Sequence, residues 1–243
     1  MKILFTGTGN AVCYTGRAGA CTIISSNESD IICDFSPQAL LNIEKDRVDI
    51  SGVDHIIITH LHGDHFGGLP YLFLYMRDAL GRKNPLYVTG PSRIQTIVEQ
   101  LTQLLYPGIS FPFDLVFSEI NPDDTVELAS TPFSIKAFKT DHTDDSLGFI
   151  INDGEKKIAI TGDTTLTPEI EKICPLCDMF ITECTLIEPI ANVKHISAPE
   201  IFSLASENKE VKIVAIHSDE KTAKSIQWPE NLIFPNDMTI EII

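Results

Sequence analysis

Four side chains of the kind that bind metals lie within a short run of this sequence. They are His60, His62, Asp64 and His65, in the pattern H-x-H-x-D-H. Imidazole and carboxylate are the nitrogen and oxygen ligands that suit zinc, manganese and iron. Side chains at positions i and i+2 of an extended segment point to the same side, so His60 and His62 can converge on one ion. Asp64 and His65 follow a glycine and can turn towards a second ion. The alternative is a polar surface loop, but such a loop would not need four ligand-type side chains at this spacing.

Three more candidate ligands each come directly after an apolar, strand-like run. They are His142, Asp163 and His217. Loops at strand ends are where a rigid sheet presents chemistry. A single histidine at such a position is more often structural than functional. Together with the H-x-H-x-D-H run, however, the three positions indicate a metal centre for two ions.

The elements around the run predict how it is held. A strand over Val53–Thr59 leads into it, and a helix over Gly67–Leu80 follows it with apolar residues at helical spacing. Further along, helices are predicted over Ser92–Tyr106 and Ala198–Asn208. Each half of the chain has strands followed by helices. This order favours an α/β fold, a four-layer αββα sandwich of two packed mixed sheets, formed by residues 1–243 as a single domain.

Composition argues against several classes of function. The formal net charge is −16 over 243 residues, so the basic surface that nucleic-acid binders use for phosphate contacts is missing. No apolar run reaches the roughly 18–20 residues of a membrane span, and the start lacks a secretory pattern, so a cytoplasmic protein is expected. Cys174 and Cys177 form a single C-x-x-C pair, and the sequence leaves open whether they have a role.

At this point the chain resembles the metallo-β-lactamase fold superfamily, whose H-x-H-x-D-H signature is highly specific. The resemblance implies one metal bound by His60, His62 and His142. It implies a second metal bound by Asp64, His65 and His217, with Asp163 bridging the two. A bridging aspartate rather than a cysteine argues against the zinc β-lactamases, and His62 argues against the flavodiiron branch, which carries a glutamate there.

A narrower resemblance is to ribonuclease Z. The segment Ile181–Thr185 is similar to that family's His-Glu-Ala-Thr box, with the first His and the Ala replaced, and Lys194–Ser197 is similar to its His-Ser/Met-Thr segment. The likeness implies that His195 is an acid or phosphate clamp and that Glu183 orients it. The alternative, an ordinary loop histidine beside a helix start, stays open for His195. Asp34 resembles the family's aspartate that supports the ligand loop.

One departure from ribonuclease Z concerns the exosite arm that grips tRNA. That arm lies between the equivalents of His142 and Asp163, which here enclose only a short stretch predicted to hold two strands. The family's basic Pro-rich loop is also absent. The better match is therefore the small armless relatives, such as the cyclic-phosphate phosphodiesterases of phosphonate breakdown.

These observations predict a metal-dependent hydrolase, a phosphodiesterase acting on small cyclic or nucleotide-like phosphodiesters through a hydroxide shared by two divalent ions. Zinc is the expected metal, with manganese as the alternative, and Asp64 is expected to orient the attacking water as well as bind metal. The expected partner is a small phosphoester rather than tRNA or a membrane, and homodimer formation is left open. The competing interpretations are a thioester or lactone hydrolase of the glyoxalase II kind and a non-catalytic metal-binding regulatory domain.

Overall fold

The structure, a computed structural model, describes residues 1–13, 16–218, 220–224 and 227–243. Its strands, in chain order, are β1 (Lys2–Gly7), β2 (Cys21–Ser26), β3 (Ser29–Cys33), β4 (His55–Ile57), β5 (Leu86–Gly90), β6 (Leu115–Glu119), β7 (Thr125–Glu127), β8 (Ser134–Lys139), β9 (Leu147–Asn152), β10 (Lys157–Ile160), β11 (Met179–Glu183), β12 (Lys212–Ile216), β13 (Leu232–Ile233) and β14 (Thr239–Ile242). They form two seven-stranded sheets, in the orders β14-β1-β2-β3-β4-β5-β6 and β13-β12-β11-β10-β9-β8-β7.

Five helices of the described part of the chain lie on the outer faces of these sheets, and two are single turns. They are α1 (Ala39–Lys45), α2 (Gly63–Phe66), α3 (Leu69–Asp78), α4 (Ile94–Leu105), α5 (Pro168–Ile173), α6 (Ala198–Glu207) and α7 (Glu220–Ala223). Helices α1, α3 and α4 cover the first sheet, and α5 and α6 cover the second. In the described part of the chain, none of them is long and apolar enough to cross a membrane.

Strand β1 shows how the sequence produces these layers. Ile3 and Phe5 pack in the apolar cluster between the two sheets, whereas Leu4 packs in the cluster beneath the helices. Successive side chains of a strand point to opposite faces, so a strand that is apolar at every position must be covered on both faces. The predicted αββα sandwich of two mixed sheets is thereby confirmed.

The helix predicted over Gly67–Leu80 is observed as α3, over Leu69–Asp78, and a separate single turn, α2, precedes it. Asp64 and His65 belong to the single-turn helix α2, and α3 begins at Leu69. Pro70 in the first turn of α3 has no N–H, so it cannot continue the hydrogen-bond ladder from α2. A Cβ on Gly68 would lie 2.3 Å from the carbonyl oxygen of Ser36, so the chain passes Ser36 closely at this break. The strand predicted over Val53–Thr59 is regular only at His55–Ile57.

Cys174 and Cys177 lie in the apolar cluster beneath α5 and α6. Burial raises the pKa of Cys174 to about 12 and that of Cys177 to about 11, so both stay as thiols at neutral pH. Within the residues that the structure describes, neither joins a group of metal-type ligands. Their environment is that of small apolar side chains.

Asp237, in the loop before β14, joins both ends of the β1–β2 loop to helix α1. Its Oδ1 accepts hydrogen bonds from the backbone N–H and the hydroxyl of Thr8, at 2.9 and 2.8 Å. Its Oδ2 accepts from the N–H of Ala18 at 2.7 Å and from Nδ2 of Asn42 at 2.9 Å. These bonds fix both ends of the loop that joins β1 to β2.

Candidate metal centre

The H-x-H-x-D-H run lies at the carboxyl end of β4. His60 is fully buried, and His62 is the extended residue immediately before α2. Asp64 and His65 lie within the single turn of α2. The ring centroids of His60 and His62 are 4.8 Å apart, and those of His60 and His65 are 4.0 Å apart. An extended segment followed by one helical turn therefore gathers all four side chains.

The second sheet contributes residues from the carboxyl ends of its strands. His142 follows β8, Asp163 follows β10, Glu183 ends β11 and His217 follows β12. Strands β8 and β10 both run antiparallel to β9, and β10, β11 and β12 are mutually parallel. Their carboxyl ends therefore meet at one edge, which faces the H-x-H-x-D-H run.

Gly162 allows the loop carrying Asp163 to reach the first sheet. Its φ is +62°, in the left-handed region that favours glycine, and a Cβ there would lie 2.7 Å from the Thr59 side chain. The N–H of Leu147 also donates to the carbonyl of Thr59, at 2.9 Å. Asp163 is thus placed against the histidines of the other sheet.

Four side chains form the first set of facing ligand atoms, which we term group A. Its members are His60, His62, His142 and Asp163. Nε2 of His142 lies 3.0 Å from Nδ1 of His62. Oδ2 of Asp163 lies 3.8 Å from Nε2 of His142 and 3.9 Å from Nε2 of His60.

A second set, group B, shares Asp163 with the first. Its members are Asp64, His65, Asp163 and His217. Nε2 of His217 lies 3.1 Å from Oδ2 of Asp64 and 3.5 Å from Oδ2 of Asp163. Nε2 of His65 lies 3.3 Å from Oδ1 of Asp163. Asp163 therefore lies between the two groups, where the sequence predicted a bridging carboxylate.

The chemistry of the two groups fits divalent metal ions. Nε2 of His60, Nε2 of His65 and Oδ1 of Asp163 are buried and, among the described residues, have no hydrogen-bond partner. Buried polar atoms are rarely left in this state, because the loss of hydration is costly. A cation among converging imidazole and carboxylate atoms would satisfy them, and this donor set suits zinc or manganese.

Asp34 and Thr59 contact the Nδ1 atoms of two of these histidines. Nδ1 of His65 contacts Oδ2 of Asp34 at 2.7 Å, and Nδ1 of His60 contacts the Thr59 hydroxyl at 3.1 Å. Thr59 in turn donates its hydroxyl and its N–H to Asp34, each at 2.8 Å. Asp34 therefore supports both groups, and its left-handed φ of 57° is a strained conformation of the kind concentrated at functional sites.

The pKa values of the histidines are shifted in opposite directions in group A and group B. Burial lowers the pKa of His60, and neighbouring histidines lower it further. Burial also opposes protonation of His65 and His217, but neighbouring carboxylates together outweigh it and raise the pKa of both: Asp163 with Asp34 at His65, and Asp163 with Asp64 at His217. Burial opposes ionisation of Asp64, but the hydrogen bond from His217 and the nearby His65 ring outweigh it and hold the pKa of Asp64 far below its usual range.

His195 lies beside both groups and pairs with Glu183. Its Nδ1 lies 2.7 Å from Oε1 of Glu183 and 4.0 Å from Oδ2 of Asp163. Its ring centroid is 4.9 Å from that of His142 and 5.7 Å from that of His217. Burial opposes protonation of His195, but the Glu183 carboxylate outweighs it and raises the pKa of the ring.

Helix α6 fixes the position of His195 along the chain. Ser197 caps the helix, and its hydroxyl and N–H both donate to Glu200, at 2.5 and 2.8 Å. This reciprocal capping box stabilises the helix start two residues after His195. Helix α6 begins at Ala198, as predicted, and its fixed start determines the position of His195.

All the residues that the sequence predicted for the site lie in this region. Contacts of the site made by Thr59, Thr185 and the Lys194 carbonyl were not predicted, although Thr185 and Lys194 lie in the segments that resemble ribonuclease Z. Nδ1 of His142 lies 2.9 Å from the Lys194 carbonyl oxygen, and Nδ1 of His217 lies 2.9 Å from the Thr185 hydroxyl. Thr59 and Thr185 each lie within two residues of a predicted site residue, and that proximity was the signal available.

The chain is similar in sequence to ribonuclease Z proteins. Ribonuclease Z of Listeria monocytogenes serotype 4a (strain HCC23) is 31% identical over 174 residues, which cover 70% of this chain and 55% of that protein. The chain spans about half the length of the curated relatives it matches.

Solved structures match over almost the whole chain. Human tRNase Z, short form, superposes with a TM-score of 0.82 at 22% identity, covering 100% of this chain and 99% of that one. The metallo-β-lactamase fold protein YhfI from Bacillus subtilis superposes with a TM-score of 0.79 at 18% identity, covering 99% and 98%. The two sheets and their helices are therefore the metallo-β-lactamase fold, as the H-x-H-x-D-H run implied.

A family model described as anti-Pycsar protein Apyc1 matches residues 1–234. The matched range includes both ligand groups, the His195–Glu183 pair and every strand of the two sheets except β14. The chain therefore belongs to the family of anti-Pycsar protein Apyc1.

Proposed function

We propose that this protein is a two-metal hydrolase that cleaves small phosphodiesters, either cyclic or nucleotide-like. The observation that carries the proposal is the placement of Asp163 between two ligand groups, with His195 beside both. Two adjacent cation sites suit displacement at phosphorus, where the attacking and the leaving oxygen both carry charge. A nearby imidazole suits the protonation of a leaving oxygen.

The ligand groups would each hold one divalent ion, zinc or manganese. When bound, such ions supply an activated water nucleophile at neutral pH and offset the negative charge of the phosphoryl group. The low pKa of Asp64 keeps its carboxylate ionised, so it can accept a hydrogen bond as well as bind metal. We assign Asp64 the additional role of orienting the attacking water.

His195 is the residue that we assign to the leaving group. Its Nδ1 is occupied by Glu183, so Nε2 is the nitrogen left to face a substrate. Because Glu183 raises the pKa of the ring, Nε2 carries a proton over a wider pH range than an isolated histidine would allow. From Nε2, His195 can donate that proton to the leaving oxygen or hydrogen-bond to the phosphoryl group.

The charges around the centre favour a small substrate. Nζ of Lys194 pairs with Asp141 at 2.8 Å. Nζ of Lys139 donates to backbone carbonyls of the loop that carries His142. The two lysines nearest the ligand loops in sequence are thus engaged within the protein. With a net charge of −16, a long polyanion gains little counterion-release free energy at this surface.

The stretch between His142 and Asp163 also favours a small substrate. It is filled by β9 and β10, which form an antiparallel hairpin. No exosite arm extends from this part of the chain, all of which lies within the described residues. The contacts that would position a folded RNA far from the metal centre are therefore missing.

The proposal is tested by comparing substrates at matched ionic strength. Protein reconstituted with zinc or with manganese is assayed on a cyclic nucleotide, bis-p-nitrophenyl phosphate, a 3′-extended tRNA and a thioester. We expect hydrolysis of the small diesters, with kcat/KM far above that for the tRNA. Metal removal by chelation should abolish the activity, and metal addition should restore it.

The same panel separates the alternatives. Efficient, site-specific cleavage of the tRNA with weak activity on small diesters would contradict the proposed substrate class. Activity on the thioester alone would favour the glyoxalase II-like alternative. Metal-loaded protein that is inert on every ester would favour a regulatory metal-binding domain.

A further inference from the structure

We propose that Thr185 is a positioning residue whose hydroxyl joins the group B ligand His217 to the Glu183–His195 pair. The inference rests on the proposed two-metal function, and it concerns the threonine that closes the segment resembling the His-Glu-Ala-Thr box, a residue to which neither the resemblance nor the ligand groups assigned a role. If it is correct, the metal centre and the residue that acts on the leaving group form one hydrogen-bonded unit.

The Thr185 hydroxyl lies at the meeting point of these groups. Its Oγ1 is 2.5 Å from Oε2 of Glu183 and 2.9 Å from Nδ1 of His217. The other carboxylate oxygen of Glu183, Oε1, accepts from the N–H of Thr164 at 2.7 Å and contacts Nδ1 of His195 at 2.7 Å. A continuous path thus runs from His217 through Thr185 and Glu183 to His195.

The direction of each hydrogen bond along this path follows from the chemistry of its ends. If Nε2 of His217 faces the ligand atoms of group B, its Nδ1 carries the proton and donates it to Oγ1 of Thr185. The hydroxyl has one proton of its own, and two acceptors compete for it. Oε2 of Glu183 lies at 2.5 Å, and the His217 carbonyl lies at 3.0 Å. The shorter, charge-assisted bond to the carboxylate is the stronger one.

The same direction orients Glu183. Its carboxylate then accepts three hydrogen bonds, from Thr164, Thr185 and His195, and both oxygens are occupied. Donors on both of its oxygens hold the carboxylate group in one orientation. The His195 ring is then fixed with Nδ1–H towards Glu183.

A second contact ties the His195 segment to group A. The carbonyl of Lys194, the preceding residue, contacts Nδ1 of His142 at 2.9 Å. His195 is therefore linked to group A by a backbone carbonyl and to group B by the Thr185 hydroxyl. Of the two links, only the hydroxyl can be removed by a side-chain substitution.

The test compares three variants that separate the hydroxyl from the bulk of the side chain. Thr185→Val keeps the shape and loses the hydroxyl, Thr185→Ala loses both, and Thr185→Ser keeps the hydroxyl. Thr102→Val is the matched control, because the Thr102 hydroxyl is likewise hydrogen-bonded within the protein, to a backbone carbonyl in α4, and lies outside the site. Zinc affinity of the full chain is measured by chelator competition, and kcat and KM on bis-p-nitrophenyl phosphate are measured separately.

We expect the Val and Ala variants to bind one of the two ions about 10–100-fold more weakly, as is typical when a hydrogen-bond partner of a metal ligand is lost. Their kcat should fall with little change in KM, and Thr185→Ser should restore both properties. Thr102→Val should match the wild type. Because zinc affinity needs no substrate, failure of the proposed phosphodiesterase function would leave this measurement intact.

A double-mutant cycle with Glu183→Gln tests the path itself. If Thr185 acts through Glu183, adding Thr185→Ala to Glu183→Gln should lower kcat no further than the larger single loss. Independent, additive losses would overturn the proposal. Wild-type zinc affinity in both Thr185→Val and Thr185→Ala would overturn it too, as would a Thr185→Ser variant as impaired as Thr185→Ala. If the Val variant does not fold, the Ala and Ser pair decides.

Discussion

The two ligand groups share one aspartate but differ in charge and in access to solvent. Besides Asp163, group A consists of three histidines, and His62 among them is exposed. Besides the same aspartate, group B has a second carboxylate, Asp64, and two fully buried histidines. Group B therefore carries one more negative charge in a more enclosed environment.

The supporting hydrogen bonds follow the same division. The ring of His65 in group B contacts the carboxylate of Asp34 directly, whereas His60 in group A reaches it only through the Thr59 hydroxyl. Carboxylates near an imidazole favour its protonated form, and burial favours its neutral form. The meeting edges of the two sheets thus carry two unequal ligand groups, group B richer in carboxylates and group A richer in imidazoles.

The largest effect is expected where the two groups meet. Asp163→Asn removes the negative charge common to both, so binding of both ions should weaken and activity should be lost. Elemental analysis and turnover on bis-p-nitrophenyl phosphate measure the two effects. The matched control is Asp178→Asn, because Asp178 pairs with Lys156 outside both groups. If Asp163→Asn lost only one ion, Asp163 would belong to a single group and the comparison above would fail.

A smaller effect is expected from a residue that lies beside both groups and belongs to neither. His195→Ala should leave both ions bound and lower turnover about 10²–10⁴-fold, the usual contribution of a general acid. Metal content and turnover are measured on the same preparation. Unchanged turnover would remove the assignment of His195 to the leaving group and would favour the thioesterase alternative.

The smallest effect is a difference in pH dependence between the groups. A metal binds only neutral imidazole, so protons compete with it. The pKa values of His60, His62 and His142 are lowered, chiefly by burial, so group A stays neutral to lower pH. In the histidines of group B the pKa is raised, so protons should compete there at higher pH.

As the pH falls towards about 6, one ion should therefore leave before the other. Group B should lose its ion first. Metal occupancy measured across this range, with Asp64→Asn as the variant that weakens group B alone, separates the two steps. Simultaneous loss of both ions would contradict this prediction. It would show that binding of the two ions is coupled through Asp163 and that the different pKa values of the two groups do not separate the steps.

Sequence patterns were sufficient to predict the αββα fold and to select the side chains that the structure brings together. Strands and helices follow apolar periodicity, and the ligand candidates are recognisable because imidazole and carboxylate side chains rarely follow strand ends in such numbers. The roles of His195 and Glu183 stay predictions, since they depend on a substrate. The ends of elements were predicted less well. The predicted helix start at Gly67 lies two residues before the start of α3, although Gly67-Gly68-Leu69-Pro70 is a typical break. A strand as short as β13, with two residues, has too few positions to show a periodicity.

The hydrogen bonds that orient the ligands could not be predicted from spacing. Thr185 and His217 are 32 residues apart, and the Lys194 carbonyl and His142 are 52 apart. Such contacts depend on which strands become neighbours. Some of them also involve backbone carbonyls, which every residue has, so residue type does not identify them. Supporting residues of this kind need the assembled structure, whereas the ligands themselves do not.

The hydrogen bonds of Asp237 to Thr8, Ala18 and Asn42 have a consequence for how the protein folds. Asp237 and Thr8 are 229 residues apart, so the bond between them closes a loop of almost the whole chain. Contacts of such long range form late, because their entropic cost is met only after local structure exists. Ala11, in the loop that Asp237 fastens, lines a cavity together with Gly63 and Asp64. During synthesis on the ribosome, the mouth of the metal centre would thus take its final shape only after β14 has emerged and paired with β1.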